Sequence, residues 1–319
     1  MTGLSRRSML LSAAAAGAAA SLPLSLSSRA SAAAMASGQA PGFYRYKIGD
    51  FTCTAINDGV WRRPLDDKFV KNVPFDQVQA AMKAAFKDPG SLEIPFTALV
   101  IQSGDRTVMI DSGTGGQLAP TAGTLHDNLS AAGIAPEQVN TLLVSHFHPD
   151  HVFGLKTKDG AYVFPNAEIV VPEAEFNHWM GLSNPQGAAA RVQDIFTPLA
   201  DKVRKIGDDE EVVPGIRSIA APGHTPGHTA YHVSSGNDEL IVLGDTTNVP
   251  FLFVNNPGWH AVFDMDADMA EASRRRLLDR AASDAALVCG YHFPFPAAGH
   301  ISKETNGFAL HPVAWTTQL

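Results

Sequence analysis

Three histidines and one aspartate lie within six residues, in the segment His146-Phe147-His148-Pro149-Asp150-His151. The segment follows an apolar run at residues 141–145, which is typical of a buried strand. Imidazole and carboxylate groups are ligands that suit zinc, manganese and iron. Because four such groups crowd too closely for one tetrahedral ion, the spacing predicts two ions. His146 and His148 would bind one ion, and Asp150 and His151 the other.

Further donors follow downstream, each in a turn or directly after a predicted strand. The turn at residues 223–229, Gly-His-Thr-Pro-Gly-His-Thr, can hold a histidine with little flexibility because glycine and proline restrict it. Asp245 follows a strand at residues 240–243 and can bridge two ions. His292 follows a strand at residues 286–289. A histidine cluster that binds no metal is the alternative, but donors at four successive places favour a two-ion site.

The elements that must position these groups alternate between strands and helices. Some neighbouring strands look hairpin-linked, so the pattern predicts an α/β fold with mixed sheets. The helices are predicted at residues 75–86, 120–132 and 266–282. Strands are also predicted at residues 51–56, 97–102, 107–111, 168–171, 216–220 and 230–233.

The N-terminal segment is typical of an export signal. Ser5-Arg6-Arg7-Ser8 precedes a weakly apolar, alanine-rich stretch, and Ala30-Ser31-Ala32 fits a cleavage site. We expect a twin-arginine signal peptide at residues 1–32, a linker at 33–42 and a single catalytic domain at 43–319. The expected location is the periplasm or the exterior. An unprocessed anchor or a disordered tail is the alternative.

The composition favours a globular protein and argues against nucleic-acid-binding and disulfide-rich classes. Hydrophobic residues make up 45% of the 319 residues, enough for a sizeable core. The formal charge is −8, and residues 1–32 contain three arginines and no acid, so the remainder is still more acidic. Such a body is a poor match for nucleic acid. We expect no membrane contact after processing, and two cysteines cannot form a disulfide framework.

The motifs HFHPDH, GHTPGH and LGD, the late His292 and the Asp-Ser-Gly turn at residues 111–113 together resemble the metallo-β-lactamase superfamily of dinuclear hydrolases. The resemblance implies an αββα sandwich. It implies two sets of ligands joined by a bridging Asp245, one set being His146, His148 and His228 and the other Asp150, His151 and His292. Asp111 would orient the ligand loop, and His224 would support the structure. His300 competes with His292 for the last ligand position.

A closer resemblance, to the methyl parathion hydrolase group and its lactonase relatives, covers nearly all of the chain after the expected signal peptide. It is carried by turns at both ends, from Pro41-Gly42-Phe43 to His292-Phe293-Pro294. It implies a homodimer and an aromatic pocket to which Trp179 and Phe196 belong. Asn248 occupies a position where lactonases of the superfamily usually carry tyrosine and organophosphate hydrolases look apolar. The choice between lactone and organophosphate triester therefore stays open.

The implied activity is metal-dependent hydrolysis of a small ester, lactone or phosphotriester. Two divalent ions, most simply zinc but with manganese, cobalt or iron also suited, would share an attacking hydroxide. Asp245 would hold the ion pair, and Asp150 would pass a proton to the leaving group. A class B3-like β-lactamase and a thioester hydrolase are alternatives within the same fold. A non-catalytic periplasmic metal-binding protein is the alternative from another class.

Overall fold

Our computed structural model describes residues 39–319. The expected signal peptide lies outside the described residues, as does most of the expected linker. Both stay predictions, together with the domain boundary at residue 43.

The amino-terminal half of the described chain forms a seven-stranded sheet in which strands adjacent in sequence are adjacent in space. The first four strands pair antiparallel and the last four parallel. Parallel neighbours end at the same edge of a sheet, so the residues that follow β4 and β5 meet there. The strands are β1 (Phe43–Ile48), β2 (Phe51–Pro64), β3 (Ser91–Ser103), β4 (Arg106–Ile110), β5 (Thr141–Leu143), β6 (Glu168–Pro172) and β7 (Arg204–Ile206).

The carboxy-terminal half forms a second seven-stranded sheet, again in sequence order. Its one parallel pair is β11 with β12, where Gly244 lies opposite Gly290. Asp245 and Tyr291, the next residues along each strand, therefore leave the sheet at the same edge. The strands are β8 (Glu211–Val213), β9 (Ile216–Ala220), β10 (Thr229–Ser235), β11 (Asp238–Gly244), β12 (Leu287–Gly290), β13 (Ala298–Lys303) and β14 (Phe308–Pro312).

The helices of the described residues pack against the outer faces of the sheets: α2 contacts β2, α4 contacts β6 and α7 contacts β13. None of these helices combines the length and apolarity that a membrane span requires. The α-helices are α1 (Phe75–Ala84), α2 (Leu125–Ala131), α3 (Pro149–Val152), α4 (Glu173–Met180), α5 (Ala188–Phe196), α6 (Pro250–Phe253) and α7 (Ala267–Asp284), and single 3₁₀ turns lie at Pro136–Gln138, Phe153–Leu155 and Thr197–Leu199.

Two hydrophobic clusters hold these layers together. One joins the facing sides of the two sheets, with Leu99 and Ile110 from the first sheet and Val233 from the second. The other joins the first sheet to its helices, with members such as Val78 of α1 and Phe176 of α4. The predicted αββα sandwich is confirmed.

Both cysteines are buried and unbonded, Cys53 on β2 and Cys289 on β12. Burial raises the pKa of both thiols, that of Cys289 to about 12. Because the thiolate is the reactive form, we expect neither cysteine of the native protein to react with iodoacetamide at pH 8. Both should react in guanidinium. Mass spectrometry of the alkylated protein checks this, and a native adduct on either thiol would contradict it.

Candidate metal centre

The first ligand loop begins where the parallel strands β4 and β5 end. Asp111 follows β4 with a positive φ of 62°, and its carboxylate accepts the N–H and the hydroxyl of Ser145, each at 2.8 Å. The same carboxylate accepts a hydrogen bond from His151 Nδ1 at 2.8 Å, which leaves Nε2 of that ring to face the site. Asp111, expected to orient this loop, thus contacts both ends of it.

A buried glutamate, absent from the residues expected at the site, joins the two histidine-rich segments. Glu175 of α4 accepts the N–H groups of Phe147 and Gly227 at 2.9 Å each, and the indole N–H of Trp179 at 2.6 Å. A Cβ on Gly227 would lie 2.0 Å from the backbone nitrogen of Glu175, so only glycine allows this approach. One carboxylate therefore sets the spacing between the loop after β5 and the turn before β10.

The second sheet supplies donors from its own parallel pair. His292 Nδ1 donates to the carbonyl of Pro95 at 2.8 Å, and its Nε2 lies 2.9 Å from Asp245 Oδ2. The Tyr291 hydroxyl donates to the carbonyl of Asp150 at 2.5 Å, and its ring centroid lies 3.9 Å from that of His151. Tyr291 thereby couples the donors of the two sheets.

Seven donor residues converge at this edge. Asp245 lies between two halves of the cluster, with Oδ1 3.3 Å from His151 Nε2 and Oδ2 3.3 Å from His224 Nε2. The position matches a carboxylate shared by two ions. Three groups each place one ligand atom per residue within 4.8 Å of the others: His146, His148 and His224; His146, His151 and Asp245; and Asp150, His151 and His292.

The unsatisfied atoms of the cluster test whether metal ions fit it. Nε2 of His146, Nε2 of His151 and Oδ1 of Asp245 are buried and have no hydrogen-bond partner. The last two lie 3.3 Å apart, yet their geometry does not make a hydrogen bond. A buried polar atom without a partner costs ~1–3 kcal/mol, and a divalent ion that displaces the proton of His151 would satisfy all three atoms. The donor set fits two metal ions.

Burial keeps two of the imidazoles neutral. It lowers the pKa of His148 to about 3 and the pKa of His146 well below its ordinary value, and neighbouring histidines reinforce both shifts. A neutral ring is the form that binds a metal. These two side chains therefore need lose no proton to act as ligands at neutral pH.

The carboxylates hold protons on two other histidines when no metal is present. Although burial opposes it, hydrogen bonds to Asp245 and Asp264 raise the pKa of His224 to about 9. Burial also opposes charge on His151, but Asp150 and Asp245 raise its pKa well above the ordinary value. Divalent cations would replace these protons, so metal binding should release them.

The expected assignment of His228 as a ligand, with His224 as its support, is wrong. His228 Nε2 accepts the backbone N–H of Asp245 at 2.9 Å, and Nδ1 faces the carbonyl of Ala221 at 3.2 Å. Both ring nitrogens are therefore engaged with the backbone. His224 lies instead 2.9 Å from His148, through Nε2 and Nδ1 respectively. The two histidines of the turn exchange the roles that the resemblance implied.

The choice between the two late histidines is also decided by position. His292 belongs to the cluster, whereas His300 is exposed on β13, opposite Leu287 of β12. His300 was expected to support the centre or compete for it, and it does neither.

An apolar cavity of about 210 Å³ opens directly onto the donors. Asn248, expected to contact substrate, lines it. Its Oδ1 accepts the Val249 N–H at 2.9 Å. The other lining residues are His148, Pro149, Asp150, His224, Asp245 and His292 from the donor side and Trp61, Ile94, Phe96, Leu118 and Phe263 from the apolar side.

The two aromatic residues expected in this pocket lie elsewhere. Phe196 is fully buried and stacks on Phe147, with ring centroids 4.1 Å apart. Trp179 is occupied by its hydrogen bond to Glu175. Both lie behind the ligand loop and neither lines this cavity, so their expected substrate contact stays a prediction. Trp61, Phe96 and Phe263 form the aromatic wall instead.

A second cavity of about 540 Å³ lies on the other side of His292, which lines both spaces. It is lined by Phe251 together with charged residues such as Lys87 and Glu93. Phe253 and Phe293 are buried in the core.

Several contributors had little or no signal in the sequence. Glu175 and Asp264 are single acids without a motif. Arg274 carries a weak signal, because it lies three and four residues before Leu277 and Leu278 on the buried face of α7. A charged residue at a core position of an amphipathic helix indicates a buried partner.

Comparison with known proteins agrees with this geometry. A family model for the metallo-beta-lactamase superfamily matches residues 96–292. An N-acyl homoserine lactonase from a Bacillus species is 26% identical over 184 residues, which are 58% of this chain and 64% of that lactonase. The chain thus matches somewhat less than two thirds of that protein's length.

Two solved structures are similar over more of the chain. AidC, described as a dizinc quorum-quenching lactonase in complex with a product, superposes with a TM-score of 0.82 at 25% identity, covering 86% of this chain and 99% of AidC. The hydrolase AbOPH of the beta-lactamase superfamily superposes with a TM-score of 0.80 at 26% identity, covering 88% and 100%. With the family model matching more than half of its residues, this chain belongs to the metallo-beta-lactamase superfamily.

Proposed function

We propose that this protein is a two-metal hydrolase that opens lactones. One ion would be held by His146, His148 and His224, the other by Asp150, His151 and His292, with Asp245 shared. The observation that carries the proposal is the apolar cavity that opens onto this donor cluster. The similarity to lactonases supports the substrate class.

The ions, most simply zinc, would supply a water of lowered pKa and polarise the substrate oxygen. The protein's own groups do the rest. Asp245 holds the halves of the centre together. Asp150 has the more accessible side chain of the two carboxylates, 13% exposed against 4% for Asp245. We assign to Asp150 Oδ2 the uptake of the proton that the attacking water loses and its transfer to the departing alkoxide.

Asn248 supplies the amide side chain among the residues that line the cavity. Because its Oδ1 already accepts the Val249 N–H, its Nδ2 remains to donate. We assign this donor to the carbonyl oxygen of the lactone, where negative charge develops as the water adds and before the ring opens. The apolar wall of Trp61, Phe96 and Phe263 would exclude water and take a neutral, apolar substituent.

An aryl phosphotriester is the second candidate substrate, because the same aromatic wall also fits an aryl leaving group. The test compares kcat/KM of the zinc- or manganese-loaded protein for a long-chain N-acyl homoserine lactone and an aryl dimethyl phosphorothioate triester. We expect the lactone to be favoured by roughly 100-fold, about 2.7 kcal/mol. Asn248→Leu should lower lactone turnover by about 10- to 100-fold, the value of one hydrogen bond to a developing charge.

Triester turnover should change by less than about threefold in Asn248→Leu, since that substrate has no planar carbonyl to orient. Asn237→Leu, in the exposed turn between β10 and β11, is the matched control. Preference for the triester would contradict the lactonase assignment. If both substrates are turned over only at background rates with two metals bound, a β-lactamase or a thioester hydrolase becomes the favoured function, and β-lactams and thioesters are the next substrates to test. No turnover of any of these would favour a metal-binding protein.

The proposal includes the sequence-based expectations of export and assembly. Twin-arginine export to the periplasm or exterior rests on the Arg6-Arg7 pattern and the small residues near Ala32. The homodimer rests on the resemblance to the methyl parathion hydrolase group. Expression with and without residues 1–32, followed by fractionation and light scattering, tests both.

A further inference from the structure

Arg274 is a guanidinium buried inside the protein, with 1% of its surface exposed. It lies on the packed face of α7, between Ala270 and Leu277. A charge in such a place is strongly unfavourable unless it is paired and hydrogen-bonded. Its partners therefore show what it stabilises.

The guanidinium reaches three carbonyls on two separate segments of backbone, and one carboxylate. Nε donates to the carbonyl of Thr246 at 3.1 Å, and Nη1 donates to the carbonyls of Pro257 and Trp259 at 2.9 and 2.8 Å. Nη2 donates to Asp264 Oδ2 at 3.0 Å. Thr246 directly follows Asp245, so one end of the fork holds the strand exit that carries the shared carboxylate.

Asp264 passes this support to the other side of the centre. Its Oδ1 lies 3.0 Å from His224 Nδ1. A hydrogen bond donated by Nδ1–H to this carboxylate leaves Nε2 of that ring as the nitrogen for a metal. A backbone contact joins the same two segments, because the N–H of Met265 donates to the carbonyl of His224 at 3.2 Å.

The start of α7 contacts the turn that carries His224. The N–H of Asp266 donates to the carbonyl of Gly223 at 2.9 Å. Gly223 has a φ of +124°, and a Cβ there would lie 2.1 Å from the backbone nitrogen of Ala270. The histidine turn therefore rests directly on the helix that carries Arg274.

We propose that Asp264 and Arg274 are positioning residues of the metal centre. Asp264 fixes the tautomer and direction of His224, and Arg274 fixes Asp264 and the segment after Asp245 together. Phe263, next to Asp264, lines the cavity, so the same support also places part of the substrate wall. The inference rests on the proposed metal binding but not on the identity of the substrate.

The test measures zinc affinity of the full chain by competition with a chromophoric chelator. Asp264→Asn places an amide where a carboxylate accepted from His224 and Arg274. We expect the dissociation constant of one ion to rise by roughly 10- to 100-fold, the usual effect of losing a partner behind a ligand. The dissociation constant of the other ion should change by less than about threefold. Asp284→Asn, an exposed carboxylate on α7 that faces Arg280, is the matched control.

Arg274→Lys keeps a cation beside Asp264 but loses the fork to three carbonyls. We expect this variant to weaken the binding of both ions, because Asp245 loses its support as well as His224. If it does not fold, Asp264→Asn decides alone. Wild-type affinity for both ions in Asp264→Asn, even with a lowered melting temperature of the metal-free protein, would overturn the proposal. Wild-type protein that binds two ions but hydrolyses no lactone would contradict the proposed function and leave this test intact.

Discussion

His224→Ala is expected to lower kcat/KM for a lactone by about 10³-fold or more and to reduce bound metal from two ions towards one. A bound ion contributes several kcal/mol of transition-state stabilisation, and each ~1.4 kcal/mol is tenfold in rate. In the proposed centre, His224 would be the ligand from the second sheet to the ion that His146 and His148 would also hold. Metal analysis by mass spectrometry and steady-state kinetics on the same preparation check this.

His228→Gln is the matched variant in the same turn. Glutamine can replace both backbone contacts of His228, accepting from Asp245 and donating to Ala221. We expect it to keep two ions and to lose less than about tenfold in kcat/KM, an effect of one imperfect hydrogen bond. The reverse pattern, with metal lost from His228→Gln and retained in His224→Ala, would restore the assignment that the resemblance implied.

Glu175→Gln should lower the free energy of unfolding by about 3 kcal/mol and weaken metal binding, although Glu175 itself is no ligand. The amide has one acceptor oxygen for three N–H donors, so it leaves at least one buried donor unsatisfied and places its own N–H₂ against another. The donors belong to Phe147, Gly227 and Trp179. Loss of their common acceptor would let the two ligand segments separate.

Urea unfolding of the metal-free protein and chelator competition of the loaded protein test this prediction together. Glu173→Gln, on the exposed face of the same helix, is the control and should be within about 0.5 kcal/mol of wild type. Unchanged stability of Glu175→Gln would mean that the two segments hold their spacing without this carboxylate.

The site's main donors were predictable because each is local in sequence. His146, His148, Asp150 and His151 lie in one short loop after an apolar run, and Asp245 and His292 each follow another. Parallel pairing of neighbouring strands then brings those ends to one edge. The type of donor and its place after a strand were enough to predict a metal centre.

The helix at residues 266–282 shows where pattern alone fails. Met269 and Ala272 are apolar residues of this helix, but both are exposed. The buried face includes Ser273 and Arg274 instead. An arginine whose donors are satisfied inside the protein occupies a core position, while a hydrophobicity pattern counts it as surface.

The residues of the aromatic wall were not predicted, for a related reason. Trp179 and Phe196 lie on α4 and α5, on the helical side of the ligand loop. Trp61, Phe96 and Phe263 come from three distant parts of the chain and meet only at the cavity. No spacing in the sequence links residues that are brought together by the pairing of β2 with β3 and by loop packing.

The sequence by itself therefore determined the donor chemistry, the alternation of strands and helices, and the family. The tertiary structure alone decided that His224 and not His228 faces the centre, although both lie in one turn four residues apart. The physical reason is the competition for each ring nitrogen: Asp245 N–H and the Ala221 carbonyl engage His228, whereas Asp264 orients His224 towards the other donors. These partners are distant in sequence, so only the folded chain sets which lone pair stays free for a metal.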